Sequence, residues 1–359
     1  MAFITIDSKK LKSNFKYLNE IFKKQSIKWA VVTKLLSGNK NYLTELLTLD
    51  IKQVADSRVS NLRAIKSINP HIETIYIKPP PKSSIVGVVK YADISMNTEI
   101  ETIKRLSEEA QKQNKIHKII IMIELGDLRE GVMGENFVDF YENVFKLKNI
   151  KIVGIGANLS CLNGVLPNPD KLIQLSLYKE LIEAKFDKKI TYVSGGSSVT
   201  MHLILKNLLP KGINHFRVGE SFFLGTDVYN NTDLKNLHTD VFKLYAEIIE
   251  LIEKPIVPLG EMGSNLEGET HSFNPKDIGK QSYRAIVDLG LLDAEIDHLK
   301  LADKNLSFAG ASSDMIVIDL HQNKEKYKVG DFIEIKLDYM AILRIMNSRY
   351  IEKKIINKE

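Results

Sequence analysis

The sequence has very little cysteine: Cys161 is the single one among 359 residues. One cysteine cannot form an internal disulfide, so the chain is not a disulfide-built secreted domain, and we expect it in the reducing cytoplasm. No run of about 18 apolar residues occurs, and this excludes the usual membrane-spanning helix. The amino terminus also lacks an apolar segment of signal-peptide length. The sequence therefore predicts a cytoplasmic protein that does not enter a membrane.

Neither sign of charge is concentrated in one part of the chain. The 50 Lys and Arg residues and the 45 Asp and Glu residues give a net charge of +5. No basic block is interleaved with aromatic residues, so nucleic acid is not an expected partner. Hydrophobic residues make up 44% of the chain, which is enough for a large core and for two domains.

Short β-branched runs alternate with longer amphipathic segments over the first two thirds of the chain. Apolar residues at three- and four-residue spacing predict helices over 97–113 and 170–186. The eight candidate strands lie at 27–33, 51–57, 72–78, 91–95, 117–125, 151–158, 190–195 and 213–219. Eight such units predict an α/β fold with a (β/α)8 TIM-type barrel. The alternative is an open doubly wound sheet, which would need a glycine-rich dinucleotide turn that "TKLLSGNK" does not supply.

The pattern changes near residue 235, where strands joined by turns replace the alternation and no long helix is expected. Strand candidates lie within 239–260, 282–290, 306–320 and 327–337. We therefore predict a barrel of residues 1–234 and a C-terminal β-strand domain of residues 235–359, with which the first strand, 2–6, can pack. The lysine-rich tail "IEKKIINKE" is interpreted as a solvated end.

Polar side chains follow the predicted strands. In barrels of this kind, functional residues sit at the carboxyl ends of the strands, so these side chains are expected to line one mouth. The residues at these positions are Lys34, Asp56, Arg58, Asn97, Asp127, Arg129, Glu130, Asn158, Ser160, Cys161, Ser194–Ser198 and Arg217–Ser221.

The segment "SGGSS" (194–198) is suited to phosphate binding. Two glycines let the backbone approach a ligand, and serine hydroxyls and amides can hold phosphate oxygens. Barrels often bind phosphate in the loops after strands seven and eight. Together with Lys34 after the first strand, this loop predicts pyridoxal phosphate, bound to the lysine as a Schiff base. A flexible turn, and a lysine where a strand meets solvent, are the ordinary alternatives.

Arg217, on the eighth predicted strand, would lie near the ring of that cofactor. Because arginine does not readily lose its proton, a ring nitrogen that faces it stays unprotonated. The ring is then a weaker electron sink, which favours simple proton exchange at the α-carbon. A salt bridge with Glu220 at the rim is the alternative interpretation.

Several motifs, taken in order, resemble the alanine racemase superfamily of fold-type III pyridoxal-phosphate enzymes, and its ornithine racemase branch most of all. They are "AVVTK", "KYADISMNTE", "IIIMIELGDLREG", "VSGGSS", "RVGESFFLG", "GASSD" and "LDYMAILR". The resemblance covers nearly the whole chain. It implies a head-to-tail homodimer, with each site completed across the interface, that racemises an amino acid. The substrate implied is ornithine or a related basic amino acid, with alanine, serine and lysine as alternatives.

The resemblance also implies roles for single residues. Lys34 would carry the cofactor and act as acid and base on one face of the substrate. Arg129 would contact the cofactor oxygen or the substrate carboxylate, and Asp314 would lie near the substrate entrance. The other implied cofactor contacts are Asn158 beneath the ring, Arg217 at the ring nitrogen, and Ser194, Gly195, Gly196, Ser197, Gly219, Glu220 and Tyr339 around the phosphate.

One position departs from the family pattern. Leu291 stands about where the family has a tyrosine, the second acid/base, supplied by the partner subunit. Racemisation by two bases needs a proton donor on each face. The sequence leaves Cys161, whose thiol can be tuned below its ordinary pKa of about 8.5, and the hydroxyls of Ser312, Ser313 and Tyr283. Single-base exchange by Lys34 is a further alternative, and Cys161 can equally be a small buried residue.

A basic substrate would need an acidic partner for its distal ammonium. Asp288, Asp293 and Asp314 are candidates. Surface carboxylates are common, so the sequence does not rank these three.

Other functions share parts of this pattern. The same architecture hosts decarboxylases, which are normally longer and carry a cysteine in the C-terminal domain, and metal-dependent aldolases. Since His271, His298 and His321 lack metal-ligand spacing, no metal site is predicted. A pyridoxal-phosphate homeostasis protein without turnover resembles the barrel alone, and a barrel enzyme without the cofactor would be colourless.

Overall fold

The chain folds into two compact units. The computed structural model describes residues 1–358 apart from 265–267, 269 and 271. The first unit, here the barrel unit, is Lys9–Thr239, and the second, here the β unit, is Met1–Ser8 together with Asp240–Glu359. Within the described residues, no helix combines the length and apolarity needed to cross a membrane.

Nineteen strands are described, most of them short. In chain order they are β1 (Phe3–Asp7), β2 (Lys28–Val32), β3 (Gln53–Asp56), β4 (Glu73–Tyr76), β5 (Ile94–Asn97), β6 (His117–Met122), β7 (Ile150–Gly156), β8 (Tyr192–Ser194), β9 (Gly196–Ser197), β10 (His215–Val218), β11 (Thr226–Asp227), β12 (Thr232–Asp233), β13 (Phe242–Pro255), β14 (Gln281–Val287), β15 (Leu299–Leu301), β16 (Ser307–Ala311), β17 (Ile316–Asp319), β18 (Phe332–Leu337) and β19 (Glu352–Ile356).

The helices separate the barrel strands and are rarer in the β unit. They are α1 (Ser8–Lys24), α2 (Lys40–Leu46), α3 (Val59–Ile68), α4 (Ile85–Tyr91), α5 (Ile100–Lys112), α6 (Phe137–Phe145), α7 (Pro169–Phe186), α8 (Met201–Leu205), α9 (Glu220–Leu224) and α10 (Tyr339–Asn347). Short 3₁₀ helices span Lys34–Leu36, Lys82–Ser84, Ser198–Thr200, Pro275–Asp277 and Ile296–His298.

Strands β2 to β10 form one parallel sheet that nearly closes on itself. Their order is β8-β7-β6-β5-β4-β3-β2-β10-β9. The first and last strands of that order, β8 and β9, are separated in the chain by Gly195 alone, so the sheet returns to its starting point. All eight predicted strands are present, which confirms the barrel. The open doubly wound sheet is wrong.

The two helices expected from apolar spacing, 97–113 and 170–186, are present as α5 and α7. At the start of α5 the Glu99 side chain accepts a hydrogen bond from the Thr102 N–H at 2.9 Å. At the start of α7 Asn168 accepts one from the Lys171 N–H at 3.0 Å. Such caps satisfy donors that the first helical turn leaves open, so each helix begins where its sequence supplies an acceptor.

Apolar side chains from β2 to β8 pack as one buried cluster. Its members are Ala30, Val32, Ala55, Ile75, Ile94, Met96, Ile120, Met122, Val153 and Tyr192. On β7 the chain carries glycine where it meets this cluster. A Cβ at Gly154 would lie 2.8 Å from Ile120, and one at Gly156 would lie 2.8 Å from Met122. Close packing therefore leaves room only for glycine unless the neighbouring side chains shift.

The β unit is built on an antiparallel sheet with the order β15-β18-β13-β14-β17-β16. Strand β1 pairs antiparallel with β13 and parallel with β19. The solvated tail is therefore a wrong interpretation, because residues 352–356 form β19 along the free edge of β1. The nine-residue helix α10 was also not expected, and Asp338 caps it by accepting from the Ala341 N–H at 2.9 Å.

A buried histidine on β6 makes the stability of the barrel unit depend on pH. His117 is 3% exposed, and its Nε2 lies 2.8 Å from the Ser95 hydroxyl. Burial lowers the pKa of His117 to about 4, from an ordinary value of 6.5. Between these two values the unfolded chain binds a proton that the folded chain does not. The free energy of unfolding therefore falls as the pH falls through this window.

We expect His117→Asn to remove this contribution. Between pH 7 and pH 5, the free energy of unfolding should fall by about 2 kcal/mol more in the wild type than in His117→Asn. Urea unfolding at both pH values measures the difference. Ser95→Ala is the matched control, since it keeps the buried histidine and should keep the wild-type pH dependence. Equal losses in the wild type and in His117→Asn would contradict the assignment.

Candidate active site

Lys34 lies directly after β2, at the carboxyl end of the barrel. Its neighbour Thr33 donates from Oγ1 to Asp56 Oδ2 at 2.8 Å. Asp56, at the end of β3, is fully buried and also accepts from the Arg58 N–H at 3.0 Å and from Asn61 Nδ2 at 3.1 Å. These bonds join the ends of β2 and β3 and fix the point at which Lys34 leaves the strand.

The ammonium of Lys34 is electrostatically unusual. Its pKa lies below the ordinary 10.5 because burial by the surrounding protein disfavours the charged form. Cys161 and Asp56 act in the opposite direction, and Arg129 adds to the lowering. The side chain as a whole is exposed. An open mouth can give a side chain solvent contact without giving its ammonium the hydration of bulk water. A larger neutral fraction makes Lys34 a better base than an ordinary lysine.

Arg217 on β10 is buried and makes four hydrogen bonds. Nη1 donates to the Ser194 carbonyl at 2.8 Å and to the Ser194 hydroxyl. Nη2 donates to the Ala157 carbonyl at 2.9 Å and to Asn158 Oδ1 at 2.5 Å. None of these bonds involves Glu220, the partner in the alternative interpretation. Both terminal nitrogens are occupied, so Nε–H is the donor to which no described residue is bonded.

Burial lowers the pKa of Arg217 to about 10. The guanidinium therefore remains charged at neutral pH. A buried arginine with one open donor is suited to a ligand acceptor such as a ring nitrogen.

Glu130 connects this arginine to a second one. Arg129 forms an ion pair with Glu130 through Nε, and its Nη2 donates to Glu130 Oε1 at 2.6 Å. Glu130 also accepts from the Asn158 side chain, which in turn accepts from Arg217. The sequence places Glu130 among the strand-end residues without a role. Its position next to Arg129 in "LREG" is the signal that it has one.

The loop after β7 presents Cys161 at the mouth. The buried Asp127 side chain accepts backbone N–H bonds from Cys161 at 3.0 Å, Leu162 at 2.9 Å and Val165 at 3.2 Å. Cys161 is exposed, and its thiol donates to the Leu159 carbonyl at 3.4 Å. One carboxylate thus holds the loop, and the interpretation of Cys161 as a buried residue is wrong.

Nearby protein atoms still desolvate the thiol. Burial raises the pKa of Cys161, while Arg129 and Arg217 act to lower it. The net shift of the thiol pKa is therefore upward, not the downward tuning of which a thiol is capable. A protonated thiol is a proton donor. The mouth thus pairs an amine biased toward its neutral form, at Lys34, with a thiol biased toward its protonated form.

The predicted phosphate segment divides into residues with different surroundings. The Ser194 hydroxyl lies 2.6 Å from His215 Nδ1 and accepts from Arg217, so its hydrogen bonds run into the barrel. The Ser198 hydroxyl accepts from the Ser221 N–H at 3.2 Å. This bond joins the loops after β9 and β10, next to Gly219 and Glu220. The residues predicted to contact the phosphate do not include Ser198, although Ser198 belongs to "SGGSS".

Close packing accounts for glycine at positions 195 and 196 of this segment. A Cβ at Gly195 would lie 2.9 Å from Leu172, and one at Gly196 would lie 2.2 Å from Phe216. Ser197 accompanies them as the cap of the 3₁₀ helix, and its N–H donates to Thr200 Oγ1 at 3.3 Å. Close packing therefore explains the glycines by itself, and phosphate binding at 194–197 stays a prediction.

The β unit holds the remaining predicted residues. The backbone N–H groups of Leu291 and Leu292 donate to the carbonyls of Ser312 and Ser313, both at 3.0 Å. The segment with Leu291 thus pairs with "GASSD", in which the exposed Ser313 hydroxyl donates to Asp314 Oδ2 at 2.9 Å. Tyr283 lies on β14, and half-buried Tyr339 begins α10. The catalytic, substrate and phosphate roles of these residues stay predictions.

The other acidic and histidine candidates of the β unit have partners there. Asp293 accepts from the Ser348 hydroxyl at 2.6 Å, and Asp288 Oδ2 lies 3.7 Å from the amino terminus. His298 lies 2.7 Å from Asp338, and His321 lies 3.5 Å from Asp319. Across the described residues, no group of three or more His, Cys, Asp or Glu side chains could hold a metal ion. His271 lies outside the described residues.

The chain matches a protein-family model and is similar to known proteins along nearly its whole length. The family model described as "Alanine racemase, N-terminal domain" matches residues 6–227. The chain is 38% identical over 354 residues to an ornithine racemase of Acetoanaerobium sticklandii, which covers 98% of this chain and 99% of that protein. It is 33% identical over 350 residues to a lysine racemase of Thermotoga maritima. That match covers 98% of this chain and 97% of that protein.

The fold is also similar to solved structures. One is the alanine racemase of Bartonella henselae with covalently bound pyridoxal phosphate, at a TM-score of 0.75 and 17% identity. The match covers 99% of both chains. At this identity the likeness shows the fold alone.

The raised thiol pKa is directly measurable, because Cys161 is the single cysteine of the chain. We expect the rate of alkylation by iodoacetamide to rise with pH around a midpoint above that of a cysteine peptide in the same buffer. Since Arg129 lowers the pKa, Arg129→Gln should move the midpoint higher still. Intact-protein mass spectrometry follows the reaction. A midpoint below that of the peptide would contradict the burial argument.

Proposed function

This chain belongs to the alanine racemase family, and we propose that it interconverts L- and D-ornithine with pyridoxal phosphate as cofactor. It is an amino-acid racemase. The choice of ornithine is supported by the ornithine racemase that is 38% identical along nearly the whole chain. The lysine racemase at 33% identity supports a basic substrate more generally.

The residues at the mouth fit pyridoxal phosphate. The cofactor needs an amine for its aldehyde, a partner for its ring nitrogen and donors for its oxygens. Lys34 supplies the amine, and the open Nε–H of the buried Arg217 is suited to the ring nitrogen. Arg129 is suited to the ring oxygen or to the substrate carboxylate. For the phosphate, the joined loops at Ser198 and Gly219 supply hydroxyl and backbone donors.

One observation carries the proposed reaction: Lys34 and Cys161 share the mouth with opposite protonation bias. Bound pyridoxal phosphate would withdraw electrons from the α-carbon and make its proton more acidic. Lys34 Nζ, released once the substrate amine has replaced it at the cofactor aldehyde, would take that proton on one face, and the Cys161 thiol would deliver a proton to the other. In the reverse direction, the Cys161 thiolate takes the proton and Lys34 Nζ returns one.

Other parts of the proposal come from the sequence. The hydroxyls of Ser312, Ser313 and Tyr283, and single-base exchange by Lys34, stay alternatives to Cys161. Asp314 near the substrate entrance, Tyr339 at the phosphate, the head-to-tail homodimer and the cytoplasmic location stay predictions. They are supported by the sequence resemblance.

The role of Lys34 is tested by proton exchange. Incubated with L-ornithine in deuterated water, the wild type should form D-ornithine and incorporate deuterium at the α-carbon. Lys34→Ala should lower both rates by about 1,000-fold, since the base on one face is removed. Chiral chromatography and mass spectrometry measure the two rates. Lys40→Ala, an exposed lysine nearby in the chain, is the matched control and should behave as the wild type. Exchange that survives Lys34→Ala would refute the assignment.

The substrate proposal is tested by comparing amino acids. We expect kcat/KM to be higher for L-ornithine than for L-lysine by about 10-fold or more, because one methylene is worth about 1–3 kcal/mol in a fitted pocket. Initial rates of D-isomer formation provide the measurement. A preference for lysine, or equal values for the two, would contradict ornithine as the substrate while leaving the racemase intact.

The two-face arrangement makes a separate prediction for Cys161. In Cys161→Ala, racemisation should fall by about 100-fold. One enantiomer of ornithine should still exchange its α-proton with retention, because Lys34 can remove and return a proton on its own face. Each pure enantiomer is incubated separately in deuterated water and analysed by chiral chromatography and mass spectrometry. Leu162→Ala in the same loop is the control, and it should exchange both enantiomers. Unchanged racemisation in Cys161→Ala would remove the thiol from the mechanism.

A further inference from the structure

A continuous row of hydrogen bonds runs through the barrel away from the mouth. It joins Arg217, Ser194, His215, Gln53 and Glu73, here called the polar column. Ser194 Oγ lies 2.6 Å from His215 Nδ1, and His215 Nε2 lies 3.0 Å from Gln53 Oε1. Gln53 Nε2 donates to Glu73 Oε2. Apolar residues usually dominate such interiors, so a polar column needs a reason.

The two ends of the column, with a neutral histidine between them, determine the direction of the bonds in it. Arginine has only donors, so Ser194 Oγ accepts from Arg217. At the other end a carboxylate has only acceptors, so the amide nitrogen of Gln53 faces Glu73 and its oxygen faces His215.

The directions of the remaining bonds follow from this. His215 must donate from Nε2 to Gln53. Because its fully buried ring is neutral, Nδ1 then carries no proton. Nδ1 then accepts from the Ser194 hydroxyl. All donors thus point the same way, from the cation at the mouth toward the carboxylate of Glu73.

We propose that His215, held as the neutral Nε2–H tautomer, is a positioning residue that fixes the Arg217 guanidinium with its Nε–H toward the ring nitrogen of the cofactor. The inference rests on the proposed function. His215 acts through Ser194: by accepting a hydrogen bond from the Ser194 hydroxyl, it leaves the lone pairs of the Ser194 oxygen to Nη1 of Arg217. Because Nη1 and Nη2 are both bound, the guanidinium plane cannot rotate, and Nε–H remains the one donor left for a ligand.

The surroundings of His215 keep it neutral. It is fully buried, and burial lowers its pKa to about 3, with further lowering by Arg217 on its own strand and Lys28 on β2. The ring of Tyr192 packs against it at a centroid distance of 4.9 Å. The carboxylate of Glu73 is bonded to Gln53. A second ring proton would make Nδ1 a donor to the Ser194 oxygen, so the Ser194 hydroxyl would lose His215 as its acceptor.

The tautomer is testable without the cofactor. In protein labelled with ¹⁵N-histidine and prepared without pyridoxal phosphate, long-range ¹H–¹⁵N spectra distinguish the two neutral forms from the charged ring. We expect the signals that disappear in His215→Leu to show a neutral ring protonated at Nε2, unchanged from pH 8 to pH 5. An Nδ1–H tautomer, or a charged ring in this range, would overturn the proposal.

The positioning role is testable by a matched pair of variants. His215→Gln keeps one donor and one acceptor, whereas His215→Leu has neither at similar size. We expect His215→Leu to lower kcat for ornithine by about 10- to 100-fold, the value of a hydrogen bond to a charged group, with KM within about threefold. His215→Gln should restore kcat to within about threefold of the wild type. If His215 were needed only for packing, His215→Gln and His215→Leu would have the same kcat per folded molecule.

Circular dichroism and thermal unfolding check that the variants are folded. If His215→Leu does not fold, Ser194→Ala replaces it, since it removes the oxygen bound to Nη1, and the same loss of kcat is expected. Equal kcat in His215→Leu and the wild type, or equal losses in both His215 variants, would refute the positioning role. A wild type without racemase activity would instead refute the proposed function, and the histidine spectrum would still decide the tautomer.

Discussion

The closure of the parallel sheet is the constraint on which the rest of the barrel unit depends. β10 pairs with β2 on one side and with β9 on the other, and Arg217 lies opposite Ala30 and Ser197. Residues from opposite ends of the barrel sequence therefore meet at one strand. Because β2 and β10 are neighbours in the sheet, the lysine after β2 and the arginine on β10 come from adjacent strands.

Closure also explains why the site is electrostatically connected. Most strand ends deliver polar side chains to the same mouth, where partly buried charges influence one another. Burial moves the pKa of Lys34 down and that of Cys161 up, which biases each group toward one member of a donor–acceptor pair. For both groups the largest cause of the pKa shift is burial, and not a single charged neighbour. Partial burial in a shared mouth is sufficient.

The polar column places hydrogen-bonding groups in a barrel interior that is usually apolar. A buried guanidinium must have its donors satisfied, and an apolar interior would leave them unpaired. The Ser194 hydroxyl accepts from Arg217, and His215 accepts from Ser194. The row ends at the half-buried carboxylate of Glu73. The orientation of Arg217 is thus supported by residues that do not themselves reach the mouth.

The alternation of strands and helices and the motif order determine the barrel, the second unit and the position of Lys34, because periodicity and strand-end chemistry are local properties. Only the tertiary structure decides what depends on neighbours distant in the chain. It pairs residues 352–356 with β1, brings the Ser194 hydroxyl to His215, and raises rather than lowers the pKa of Cys161. Pairing, hydrogen-bond partners and desolvation are set by long-range contacts, and a linear pattern does not contain them.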